Sequence, residues 1–120
     1  MRAKRILVVE DELMIRMLLE DMLAELGCTI AAQAGRVHDA LEAVHNAEFD
    51  LAILDVNLGG EPVSPVADAL AARGTPFVFA TGYGEPALPP SHRARPTLKK
   101  PFQLDSLKRT LETALENMRL

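Results

Sequence analysis

The chain has 120 residues, 48% hydrophobic and 25% charged, which suits one globular domain with a real core and excludes a disordered tail. A net charge of −4 without a basic stripe argues against a nucleic-acid surface, and no apolar run nears the roughly 18 residues of a membrane span. One cysteine, Cys28, excludes an internal disulfide framework and fits a reducing compartment, as a small buried residue just before a strand.

The basic start (MRAKR) leads into only Ile6 to Val9 before the acids at 10–12, so no secretory leader is expected and the chain is assigned to the cytoplasm. Residues 5–11 (RILVVED) read as a buried strand ending on acids. Residues 12–26 follow as a helix, with Ile15, Leu18, Leu19, Met22, Leu23 and Leu26 at helical spacing and Gly27 closing it. A weaker strand spans 29–34. Val37, Leu41, Val44 and His45 then mark a second amphipathic helix, with Asp39 and Glu42 on its outer side. Phe49 leads into an apolar strand that ends on Asp55, with Gly59, Gly60 and Pro62 close behind. Val63, Val66, Ala67, Leu70 and Ala71 indicate a third helix that stops near Gly74.

Residues 76–81 (PFVFAT) form another buried strand, with proline tolerable at its first position. The pattern then thins, and Pro86, Pro89, Pro90 and Pro96 rule out a long regular helix there. A short strand at 97–100 precedes a last helix carrying Leu104, Leu107, Leu111, Leu115 and Met118. Asp105 early and Arg119 late in that helix suit its dipole.

Strand and helix alternating in this way predict an α/β fold, a doubly wound five-stranded parallel sheet of order 2-1-3-4-5 joined by right-handed crossovers. The fourth helix is expected to be short or irregular. One domain is expected over residues 1–120, with no output domain. In such sheets the ligand site lies outside the carboxyl ends of the strands. There the pattern places Glu10 and Asp11, Asp55, Thr81 and Lys100: three carboxylates, a hydroxyl and an ammonium.

Each of these has an innocent explanation alone, as a solvated strand end or a turn residue. Together they define a chemistry. Clustered carboxylates raise one another's pKa unless a cation intervenes. An all-oxygen donor set suits a hard cation such as Mg²⁺. A carboxylate held there can attack phosphorus and form an acyl phosphate, with Lys100 and Thr81 placed to take the phosphoryl oxygens.

Four stretches carry a resemblance over essentially the whole chain: VEDE at 9–12, LDVN at 54–57, FAT at 79–81 and KKPF at 99–102. The sequence resembles a response-regulator receiver domain of two-component signalling, with its flavodoxin-like fold. The resemblance implies that Asp55 is the phosphoacceptor and that Glu10, Asp11, Asp55 and the backbone carbonyl of Asn57 hold Mg²⁺. It implies that Thr81 and Lys100 bind the phosphoryl group, Lys100 rather than Lys99 because it directly precedes Pro101, and that the Lys100–Pro101 bond is cis. The aromatic residue usual three positions before that lysine is replaced by Thr97. The run FVFATGY at 77–83 resembles a single-domain subgroup often called FATGUY, whose members are expected to pair with histidine kinases of the HWE or related type. Tyr83, between Gly82 and Gly84, becomes a replacement switch candidate. The segment 86–96 is either ordered on phosphorylation or partner binding, or a fixed irregular loop.

The resulting expectation is a stand-alone receiver that takes a phosphoryl group from a sensor histidine kinase or histidine phosphotransfer protein. It would catalyse only its own modification and hydrolysis, and act through a downstream protein target, a relay or a phosphate sink, with no direct nucleic-acid or membrane contact. The alternative is a phosphorylation-independent interaction module on the same fold. A nucleotide or flavin enzyme is disfavoured, because the first strand-to-helix turn is acidic and lacks glycine. His38, His45 and His92 are expected at the surface.

Overall fold

The computed structural model describes residues 3–82 and 88–117. The sequence readings at Tyr83, Met118 and Arg119 lie outside the described residues. In chain order the elements are β1 (Arg5–Val9), α1 (Leu13–Glu25), β2 (Thr29–Ala34), α2 (Val37–Asn46), β3 (Leu51–Asp55), β4 (Asn57–Leu58), β5 (Glu61–Pro62), α3 (Ser64–Arg73), β6 (Phe77–Thr81), β7 (Thr97–Lys99) and α4 (Leu104–Asn117).

Five strands form one parallel sheet of order β2-β1-β3-β6-β7. Counting sheet strands alone, this is the expected 2-1-3-4-5. Side chains alternate across a strand, and that alternation divides the core in two. Leu7 and Val9, Ala52 and Leu54, and Phe77 and Phe79 face α2 and α3, packing with Val44, Val66 and Leu70. Ile6 and Val8, Leu51 and Ile53, and Val78 and Ala80 face α1 and α4, packing with Leu19, Leu23, Leu107 and Leu111. The central strands are apolar at every position because both faces are covered.

Three local features differ from the sequence reading. Only Leu19 and Leu23 of α1 are fully buried, while Leu18 is on the exposed side with Leu13, Met14 and Met17. His45 also faces solvent, so the buried stripe of α2 runs through Ala40 and Val44. A two-stranded hairpin, β4 with β5, follows Asp55 directly. Its turn uses left-handed backbone at Gly59 (φ 57°) and Gly60 (φ 91°), which glycine adopts without steric cost.

Between β6 and β7 the described residues hold no α-helix. They hold a single 3-10 turn at Pro90–His92, consistent with the helix-breaking prolines. β7 is an edge strand of three residues between Pro96 and Pro101, with Lys99 exposed.

Candidate functional site

The parallel register carries four strand ends to one lip. Val9 of β1 pairs with Leu54 of β3, Asp55 with Ala80 of β6, and Thr81 with Lys99 of β7. The residues at or just beyond these ends are therefore Glu10, Asp55, Thr81 and Lys100. The crossovers leave β1 and β3 in opposite directions across the sheet, so the crevice between those two strands is the switch point where such folds bind ligands.

Glu10 and Asp55 are each 2% exposed, while Asp11 reaches solvent. Ligand oxygens from all three lie within 4.8 Å of one another. Lys100 Nζ lies 2.9 Å from Glu10 Oε1 and 3.4 Å from Asp55 Oδ2. The backbone N–H of Glu12 donates to Glu10 Oε2 at 3.1 Å, and that of Asn57 to Asp55 Oδ1 at 3.2 Å. The Asn57 side-chain oxygen accepts from the Gly60 N–H at 3.1 Å, so the glycine turn fixes the loop after Asp55. Thr81 is half-buried at the end of β6, and its carbonyl accepts the Lys100 N–H at 2.7 Å. Lys99 is exposed, and the Lys100–Pro101 peptide is cis.

Burial sets the electrostatics. Desolvation pushes the Glu10 carboxyl up to about 7, against the lowering effects of the Glu12 N–H and Lys100. Asp55 is raised for the same reason, with Glu10, the Asn57 N–H and Lys100 pulling it back. Such a cluster draws in positive charge. Its donors are all carboxylate oxygens, without nitrogen or sulfur, and two of the three carboxylates are buried. That set fits a hard divalent cation.

Replacing Lys100 with methionine is expected to destabilise the fold, because it leaves the buried carboxyls of Glu10 and Asp55 without their ammonium partner. This destabilisation should be larger at pH 8 than at pH 6, since protonation of Glu10, whose carboxyl is raised to about 7, partly substitutes for the missing ammonium. A urea titration at both pH values checks this.

One contact was not legible in the sequence. His92 is buried, at 7% exposed, with Nε2 2.8 Å from Asp68 Oδ1 on α3. The expectation of a surface histidine is corrected here. A proline-rich stretch has no periodicity from which to read burial, and Asp68 lies 24 residues away. His38 and His45 are exposed.

A doubly wound sheet with a carboxylate cluster and a lysine at its switch point defines an α/β domain able to hold a hard cation at the carboxyl ends of its strands. The family model described as the response regulator receiver domain matches residues 6–112, and the chain belongs to that family. The transcriptional regulatory protein PdtaR of Mycobacterium tuberculosis is 33% identical over 120 residues, covering 97% of this chain. The chain spans only 58% of that relative's length.

Among solved structures, SdrG from Sphingomonas melonis Fr1 is 47% identical with a TM-score of 0.87, covering 94% of this chain and 97% of its own. The receiver domain of the Erythrobacter litoralis response regulator PhyR is 33% identical with a TM-score of 0.80, covering 95% and 91%. The BeF3-activated conformation of SdrG from Pseudomonas melonis Fr1 is 48% identical with a TM-score of 0.78, covering 96% and 98%. Among the described residues, no helix is long and apolar enough to cross a membrane.

Proposed function

We propose that this receiver domain accepts a phosphoryl group onto Asp55 from the phosphohistidine of a sensor histidine kinase or histidine phosphotransfer protein. The observation that carries the reading is the buried Asp55 carboxylate, held by the Asn57 N–H and lying 3.4 Å from the ammonium of Lys100. An Asp55 oxygen attacks phosphorus in line with the phosphorus–nitrogen bond. That bond breaks, its electron pair stays on the imidazole nitrogen, and the imidazole takes a proton from water. Lys100 and the Thr81 hydroxyl donate to the equatorial oxygens as charge builds on them. Water later cleaves the acyl phosphate, releasing inorganic phosphate and restoring the carboxylate.

Glu10, Asp11, Asp55 and the Asn57 carbonyl are the residues that would hold Mg²⁺, which when bound supplies positive charge against the carboxylates and phosphoryl oxygens. The receiver acts in the cytoplasm. It passes its state to a protein partner, a relay or a phosphate sink. SdrG has been solved in a BeF3-activated form, and the same phosphoryl mimic is expected to bind here.

The test is intact mass after incubation with acetyl phosphate, with Mg²⁺ and with the metal chelated. One phosphoryl adduct that needs the metal is the expected result. No adduct, and no binding of beryllofluoride, would replace this reading with that of a phosphorylation-independent interaction module.

A further inference from the structure

Residues 89–95 are folded around His92. Its N–H donates to the Pro89 carbonyl at 2.9 Å, and its own carbonyl accepts the Arg95 N–H at 3.1 Å, so two successive turns close on this residue. The ring then leaves its segment. It meets Phe77 nearly edge-on with centroids 5.5 Å apart, lies 6.4 Å from Phe79, and bonds to Asp68 on α3 at 2.8 Å. Arg95 adds a second anchor, its guanidinium 4.3 Å above the Phe77 ring. A buried imidazole needs a polar partner, and among the described residues Asp68 is the hydrogen-bond partner of the ring.

Alternate residues of a strand share a face. Phe77, Phe79 and Thr81 therefore point to the same side of β6, the side on which His92 sits. The chain leaves Thr81 through Gly82, and farther along Leu88 and His92 pack back on that face, Leu88 against the core of Phe77 and Phe79. Residues 88–96 hold no α-helix and have little internal structure of their own, so their position depends on such ties.

We propose that the His92–Asp68 contact is a tether holding residues 88–96 against α3, and that it restrains Thr81 in its resting position. His92 and Asp68 are thus positioning residues for the phosphoryl reaction. This rests on the reading of Asp55 as phosphoacceptor. Releasing the tether frees the strand end that Thr81 terminates, so the hydroxyl reaches the phosphoryl group at less cost.

The test compares wild type with Asp68→Ala and with His92→Phe, which keeps an aromatic ring but loses the polar bond. Asp68→Asn, which retains an acceptor, serves as the rescue. Both disrupting variants are expected to exchange amides faster over residues 88–96 and to take up phosphoryl groups from acetyl phosphate about five-fold faster, the effect of one modest hydrogen bond. Asp68→Asn should stay near wild type in both measurements. Faster exchange with unaltered uptake would overturn the tether's role in the reaction, and unchanged exchange would overturn the tether itself. If wild type formed no adduct while exchange still rose in both variants, the phosphoacceptor reading would be the one to fail.

Discussion

An Asp55→Asn chain is expected to take up no phosphoryl group and also to unfold later than wild type. The two effects have one cause. Asp55 is 2% exposed, and desolvation already raises its carboxyl. Its negative charge is therefore kept at a cost, and Glu10 shares the same dry space. The amide is nearly isosteric and still offers an oxygen to the Asn57 N–H, so packing is retained while a buried charge is removed. A gain on the order of 1–2 kcal/mol follows, since neutralising poorly compensated buried charge is commonly stabilising. The amide oxygen is a poor nucleophile and an uncharged ligand, so uptake and tight metal binding are lost together. Intact mass after acetyl phosphate and the urea midpoint measure the two halves. A residue kept for stability alone would show the opposite sign in the second, with Asp55→Asn unfolding earlier.

The metal-free protein is expected to lose stability as pH rises from about 4.5 to 7. Within that window the folded chain holds a proton on Glu10, whose carboxyl is raised from 4.5 to about 7, while the unfolded chain has released it. More protons are bound in the folded state, so the free energy of unfolding falls with rising pH. The full difference is on the order of 3 kcal/mol above pH 7 and vanishes below the unfolded value. Lys100 limits the loss but does not remove it, because burial outweighs its attraction at this site. Mg²⁺ selects the deprotonated carboxylates, so the stabilisation it adds should be large at pH 8 and small at pH 5.5. Thermal melts with Mg²⁺ and with chelator across this range decide the matter. An equal metal effect at both pH values would contradict the placement of Glu10 in the cation site.

Much of the fold was legible because each central strand is apolar on both faces and stops on a polar residue. Glu10, Asp55 and Thr81 each end such a run, and parallel pairing puts the ends of neighbouring strands side by side. The grouping of Glu10, Asp11, Asp55 and Lys100 follows from strand order alone. Choosing Lys100 over Lys99 rested on the family resemblance, through the adjacent Pro101, and alternation then turns Lys99 to the other face of the strand.

What escaped reading had no repeating pattern to expose it. The hairpin after Asp55 is two residues per strand, below the length at which alternation can be counted. In α1, Leu13, Met14, Met17 and Leu18 are apolar yet exposed, so the helical stripe appeared wider than the face it buries. His92 was misplaced because its burial depends on Asp68, Phe77 and Phe79, all contributed from outside its own segment.

The shortness of β7 has a consequence for behaviour at high concentration. An edge strand offers unpaired amide groups onto which another chain can add, the first step towards cross-β aggregation. Stacks of that kind draw on segments of about six or seven residues free of proline. Here the edge is three residues long, Pro96 and Pro101 close it at both ends, and Lys99 stands exposed upon it. Lys99, beside the lysine assigned to phosphate, thus places a charge on this edge that opposes the addition of another chain to β7.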